Sequence, residues 1–160
     1  MTAFTITPLA EKPELVDCCA AWSYGEWGTQ IETRNLMTVY EDYRSSIDGD
    51  NLPLTWIALA GTKPAGMIRF KANDPAANRE DLTPWLSSLY VHPRYRQQGL
   101  AALLCEHVEV VAKKRGFDKI HLFTGSAEKM YEKMGYKTID NVPDPSGYDK
   151  NGKAVMMKAL

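Results

Sequence analysis

At 160 residues, 44% apolar and 24% charged with a formal charge of −1, the chain is sized for one domain over residues 1–160. Such a domain buries about two-thirds of its unfolded surface without disulfides or metal. The charge balance carries no electrostatic footprint for nucleic acid, and no apolar run approaches the roughly 20 residues that span a bilayer. The N-terminus lacks the basic and apolar regions of a signal peptide, so the expectation is a cytoplasmic protein with neither nucleic acid nor membrane as partner.

In chain order, residues 4–7 alternate and stop at Pro8 as a first strand. Leu15, Cys18, Cys19 and Trp22 then recur at helical spacing, punctuated by Gly25 and Gly28. Leu36, Val39, Tyr40, Tyr43 and Ile47 stripe a second helix that ends before Asp48-Gly49-Asp50. Residues 54–60 and 65–70 flank a Gly61-to-Pro64 turn as a hairpin, and the polar stretch 71–81 is a loop. Residues 85–92 form a strand closed by Pro93.

From Gly99 the positions Leu100, Leu103, Leu104, Val108 and Val111 line one face of a long helix, with Lys113, Lys114 and Arg115 over its negative end and Gly116 beyond. A strand at 119–123, a helix at 126–134 stopped by Gly135, a strand at 136–139, a Pro-rich loop and a strand at 153–158 complete the pattern. Cys18, Cys19 and Cys105 lack Cys-x-x-Cys spacing and read as buried reduced thiols. His92, His107 and His121 are too scattered for a ligand set, so no metal is expected.

The most informative stretch is Arg94-Tyr95-Arg96-Gln97-Gln98-Gly99-Leu100-Ala101, which joins a strand to a helix without a Walker or Rossmann glycine pattern. Gly99 has no side chain to block a ligand, so backbone N–H groups from Gln97 to Ala101 can converge on one anion at the helix's positive end, with Arg96 as a fixed charge beside them.

With those residues the chain resembles the GNAT superfamily of N-acetyltransferases, whose signature of Arg or Gln, two residues, Gly, one residue, then Gly or Ala is filled by Arg96, Gly99 and Ala101. Leu89-Tyr90-Val91-His92-Pro93 before it, Leu103-Leu104 after it, and Tyr131-Glu132-Lys133-Met134-Gly135-Tyr136 downstream sit where the family places them. The resemblance implies an α/β (α+β) fold, a mixed central sheet of about six to seven strands flanked by about four helices. It also implies acetyl-coenzyme A as cosubstrate, with the diphosphate on Arg96, Gln97, Gln98, Gly99, Leu100 and Ala101, and the pantetheine arm along the backbone of Leu89, Tyr90 and Val91. Thr124 stands where many relatives carry a cofactor-binding asparagine and is counted with these positions.

The same resemblance makes Tyr131 the proton donor to the departing thiolate. A phenol of pKa about 10 stays protonated at neutral pH and donates to a thiolate of reference pKa about 8.5. The acceptor is a primary amine of a small molecule or a peptide. Residues 115–122 with Tyr131 and Gly135 also resemble protein N-terminal acetyltransferases of the kind that modify processed actin, which adds protein α-amines to that range.

Glu26, or a water held by Ser87 or Ser88, are candidate bases. Trp22, Trp27, Trp85 and Tyr90 are candidate walls of an acceptor pocket, against the alternative that tryptophans at element ends close a core. Asp74 and Glu80 are candidates for a cationic acceptor, against turn and solvation roles. Direct attack is expected, because Cys105 lies inside a helix and no nucleophile elbow is present. The competing reading is a non-catalytic acyl-coenzyme A-binding regulatory or sensor module, and a homodimer is left open.

Overall fold

A computed structural model describes residues 2–144 and 150–160. The apolar and alternating runs pair into one sheet of seven strands: β1 (Thr5–Pro8), β2 (Leu54–Ala60), β3 (Lys63–Lys71), β4 (Trp85–Val91), β5 (Lys119–Thr124), β6 (Lys137–Val142) and β7 (Lys153–Ala159). Their spatial order is β1-β2-β3-β4-β5-β7-β6, and every pairing is antiparallel except β4 with β5. Helices α1 (Val16–Glu26) and α2 (Leu36–Ser45) cover one face, and α3 (Leu100–Lys114) and α4 (Glu128–Lys133) the other. This is the mixed sheet with four flanking α-helices expected from the sequence.

Alternation along β3 feeds both cores. Ile68 and Phe70 enter the core under α3, while Met67 enters the core under α1 and α2. On α3, Leu100, Leu104 and Val108 are fully buried at helical spacing, each contributing about 1.5–3 kcal/mol of burial. Close docking of α3 depends on Gly66, where a Cβ would lie 2.7 Å from the Tyr90 carbonyl oxygen and 3.3 Å from the side chains of Leu100 and Leu104.

The sheet opens at its centre. The parallel ladder between β4 and β5 holds a single register pair, Trp85 with His121. On its other side, β4 pairs Tyr90 with Met67 and Ser87 with Arg69, so three steps of β4 span two steps of β3. The extra residue is accommodated at Ser88, which takes a left-handed φ of 53°. Such a bulge bends its strand and increases the local twist, and here β4 leaves β5 just beyond Trp85.

Several boundaries differ from expectation, each for a local reason. The second helix starts on a capping box between Asn35 and Thr38 and ends at Ser45, short of Ile47. There the backbone N–H and hydroxyl of Ser46 both donate to the Tyr43 carbonyl, tightening the last turn. The last helix is shorter than 126–134 because Thr124 Oγ1 accepts the Ala127 N–H before it and Met134 bonds back to Tyr131 after it. The polar stretch 71–81 is not all loop: Lys71 belongs to β3, and Pro75–Ala77 is a 3-10 turn capped by Asp74, which is buried together with Ala77. The Pro-rich loop falls partly outside the described residues.

Candidate active site

The turn expected from the sequence to cradle an anion is shaped by its backbone. Pro93–Tyr95 forms a 3-10 turn after β4, Gln97 takes φ 59°, and Gly99, the N-cap of α3, takes φ 79°. Two left-handed residues this close turn successive N–H groups toward one concavity, and the open first turn of α3 adds those of Leu100, Ala101 and Ala102. A Cβ on Gly99 would meet nothing within 4 Å, so the space beside it is open. Arg96 Nε donates to the Val91 carbonyl at 3.0 Å, and Gln98 Nε2 donates to the Arg94 carbonyl at 3.2 Å, which ties the cradle to the end of β4.

Beyond Trp85, the β4 edge that faces β5 has no ladder. Unpaired N–H and C=O groups on such an edge accept an extended amide chain as a strand would. Leu89 and Val91 turn their side chains into the α3 core, while Tyr90 turns toward α1 and stacks on Trp22 with ring centroids 4.9 Å apart. The backbone between them is therefore held from both faces.

Tyr131 projects from α4 into the same core as Leu89 and Val91 and is 7% exposed. Its ring meets Tyr136 edge-on at 5.8 Å, and the Tyr136 hydroxyl donates to Glu109 at 2.9 Å. Burial foremost, then the neighbouring Cys105, pushes the phenol's pKa above its ordinary value, so it holds its proton well into the alkaline range. Cys105 is pushed up to about 12, chiefly by burial and next by Glu109, which keeps it an inert thiol.

The structure distributes the candidate acceptor residues unequally. Trp22 and Tyr90 form a stacked pair, and Trp27 packs on the α1–α2 core. Glu26 is exposed at the end of α1 and is felt electrostatically at Tyr90, whose pKa is raised by burial first and opposed by Arg96. Ser87 donates to buried Asp74 at 2.8 Å.

Trp85 is placed in a core and not on a pocket wall: it is 0% exposed, packs with Ala77, Val142 and Val155, and donates Nε1–H to the Leu82 carbonyl. Thr124 spends its hydroxyl oxygen capping the turn into α4. Asp74 is likewise committed, to Ser87, to the Ala76 N–H at 3.3 Å and to Lys71 at 3.9 Å.

Sequence reasoning missed Arg69, which is 1% exposed on β3 beneath α2. Its Nη1 donates to Asp42 Oδ2 at 2.6 Å, and its guanidinium lies 4.3 Å from the centre of the Tyr43 ring. Burial would raise Asp42, but the hydrogen bond and charge of Arg69 outweigh it and hold the carboxyl below its usual value. The available signal was a cation at an inward position of the run Met67-Ile68-Arg69-Phe70. Gly66 was missed as well, because close helix approach leaves no pattern along the chain.

A sequence model of the acetyltransferase (GNAT) family matches residues 18–136. Human N-acetyltransferase 8 is 29% identical over 114 residues, which cover 68% of this chain and 49% of that protein; the chain spans about half the length of that relative. Among solved structures, an aminoglycoside 6'-N-acetyltransferase complexed with coenzyme A superposes with a TM-score of 0.75 at 17% identity, covering 97% of this chain and 96% of the other. The ribosomal-protein-alanine N-acetyltransferase of Escherichia coli superposes with a TM-score of 0.68 at 18% identity, covering 99% and 94%. At these identities the structural likeness is one of fold.

Proposed function

The chain belongs to the acetyltransferase (GNAT) family, and from that premise we propose that it transfers the acetyl group of acetyl-coenzyme A to a primary amine by direct attack. One observation carries the reading: the unpaired edge of β4 runs from the acceptor side straight to the left-handed Gly99 and the open first turn of α3. The open space in front of Gly99 fits a diphosphate on the N–H groups of residues 97–101, and the edge of Leu89, Tyr90 and Val91 fits the amides of a pantetheine arm. Acetyl-coenzyme A, when bound, supplies an acyl group activated as a thioester.

Tyr131 holds its proton because it is buried, and as a protonated phenol it can give that proton to a thiolate leaving in the same core. The amine must lose a proton. An α-amine with pKa about 7.8 is on the order of 10% neutral at pH 7, whereas a lysine-like amine near 10.4 is neutral in under about one molecule in a thousand. Ser87 offers one exit: its proton points at Asp74 and its oxygen also contacts the Ser88 hydroxyl at 3.4 Å, which leaves one lone pair to take a proton from an amine as its own passes on. Glu26 offers a second exit, through water at the open end of α1.

The structural relatives act on an aminoglycoside and on an alanine of a ribosomal protein, so the fold is compatible with sugar and protein amines alike. The test is thiol release from acetyl-coenzyme A across a panel of amines, amino acids and peptides. Release that depends on the acceptor is expected. Tight coenzyme A binding with no release on any acceptor would instead make the chain a non-catalytic acyl-coenzyme A-binding module.

A further inference from the structure

Among the described residues, five side-chain N or O atoms are sealed from solvent without a hydrogen-bond partner, and four of them gather around one position on the acceptor face. They are Nε and Nη2 of Arg69, the Tyr43 hydroxyl and Thr55 Oγ1. Thr55 stands opposite Arg69 on β2 and Ser87 opposite it on β4, and directly paired residues of antiparallel strands point to the same side. The Tyr43 ring stacks on the guanidinium, while its hydroxyl faces the Ser23 and Ser88 side chains. All four atoms can donate, and the two of Arg69 can do nothing else. Buried donors left unmade are costly, and a cluster of them is satisfied by an anion that accepts from several at once.

The free edge of Arg69 has a specific shape. Asp42 takes only Nη1, which leaves Nε and Nη2, the side of the guanidinium whose two N–H groups run parallel and match both oxygens of one carboxylate. Lys71, two residues further on the same face of β3, adds a second cation whose nearest carboxylate, on Asp74, is 3.9 Å away. Arg69 also sits level with the chemistry. Its β4 partner is Ser87, two residues past Trp85 where the ladder to β5 ends, so one strand spacing of about 4.8 Å separates the Arg69 backbone from the open stretch of β4.

We propose that Arg69, with Tyr43 and Thr55, binds a carboxylate of the acceptor, so that the substrate is an amine bearing a carboxylate within a few bonds of the nitrogen. This rests on the acetyl-transfer reading and names its acceptor class. Helix α2 supplies both the ring over the guanidinium and the Asp42 carboxylate on Nη1, so access of the acceptor to the sealed free edge requires that α2 shift from β3.

The experiment is thiol release from acetyl-coenzyme A with matched pairs: α- and β-amino acids against their amides, and peptides beginning with Asp against those beginning with Asn. The expected result is a kcat/KM at least about tenfold higher for the acid of a pair. The preferred set then identifies the carboxylate as that of a free amino acid or of a peptide side chain. Arg69→Gln should bring the acid-to-amide ratio close to one, and Arg69→Lys should keep part of it by retaining charge without the fork. If Arg69→Gln does not fold, the wild-type ratio decides alone. Amides and plain amines turned over as well as acids would overturn the proposal while leaving acetyl transfer standing. No release with any acceptor would remove the transfer reading itself.

Discussion

On the α3 side of β4, the groups offered to a ligand are backbone: the unladdered edge beyond Trp85, the N–H groups of the αL turn at Gln97 and Gly99, and the first turn of α3. On the α1–α2 side they are side chains, namely Arg69, Lys71, Tyr43, Thr55 and Ser87, contributed by α2, β2, β3 and β4 and largely sealed beneath α2. A backbone site keeps its shape under most substitutions, because only glycine, proline or a change of strand pairing alters it. A side-chain site changes its ligand with any one residue. On the proposed assignment, the backbone side would hold the acetyl donor while the side-chain side selects the acceptor.

The largest expected effect tests the point where the two sides meet. Tyr131→Phe should lower kcat by about 100-fold with little change in coenzyme A affinity, measured by steady-state kinetics beside a binding titration. Because burial raises the phenol's pKa above about 10, the wild-type kcat should show no alkaline fall from this group up to about pH 10. An unchanged kcat in the variant would take Tyr131 out of the mechanism.

Gly99→Val tests the backbone side. A β-branched residue at φ 79° costs about 1–3 kcal/mol of conformational strain and puts its side chain into the open space before the helix. Coenzyme A affinity should drop about tenfold or more by calorimetry, and retained affinity would show that the diphosphate lies elsewhere. Gly66→Ala should destabilise the fold by about 1–3 kcal/mol, since the new Cβ meets a backbone oxygen at 2.7 Å, and a thermal melt reads the loss. Coenzyme A binding should weaken with it if close docking of α3 shapes the cradle.

The smallest effect belongs to the side-chain side. Asp42→Asn removes the partner of buried Arg69, but the Asp42 side chain is 49% exposed and screened, so the loss should be about 1 kcal/mol at neutral pH. The carboxyl's folded pKa is depressed, so its contribution is present above the unfolded value of about 3.9 and is lost as pH falls through the lower folded value. The Tm gap between wild type and variant should be constant near neutrality and close below about pH 4. A gap that persists in acid would mean that the pair is not ionic in the fold.

Much of the backbone around the proposed cofactor cradle was legible in the chain. Pro93 and Gly99 mark where the strand must stop and the helix begin, and the stripe from Leu100 to Val111 tells which face α3 buries. The acceptor side was not. Trp85 has the same local look as Trp22, yet one is sealed under the 71–84 segment and the other stacks on Tyr90, a difference set by residues far away in sequence. Asp74 resembled a solvated turn residue and is buried because Ser87, Lys71 and a backbone N–H meet it there.

What the sequence determined by itself is whatever local backbone rules enforce: element types, the glycine that permits a left-handed turn, and the periodicity that assigns inner faces. What only the tertiary structure decided is which side chains of α2, β2, β3 and β4 gather beneath α2, and that β4 parts from β5 beyond Trp85. Those facts depend on strand register and on a bulge at Ser88 that no local preference announces, because a hydrogen-bond ladder is satisfied between residues far apart in the chain.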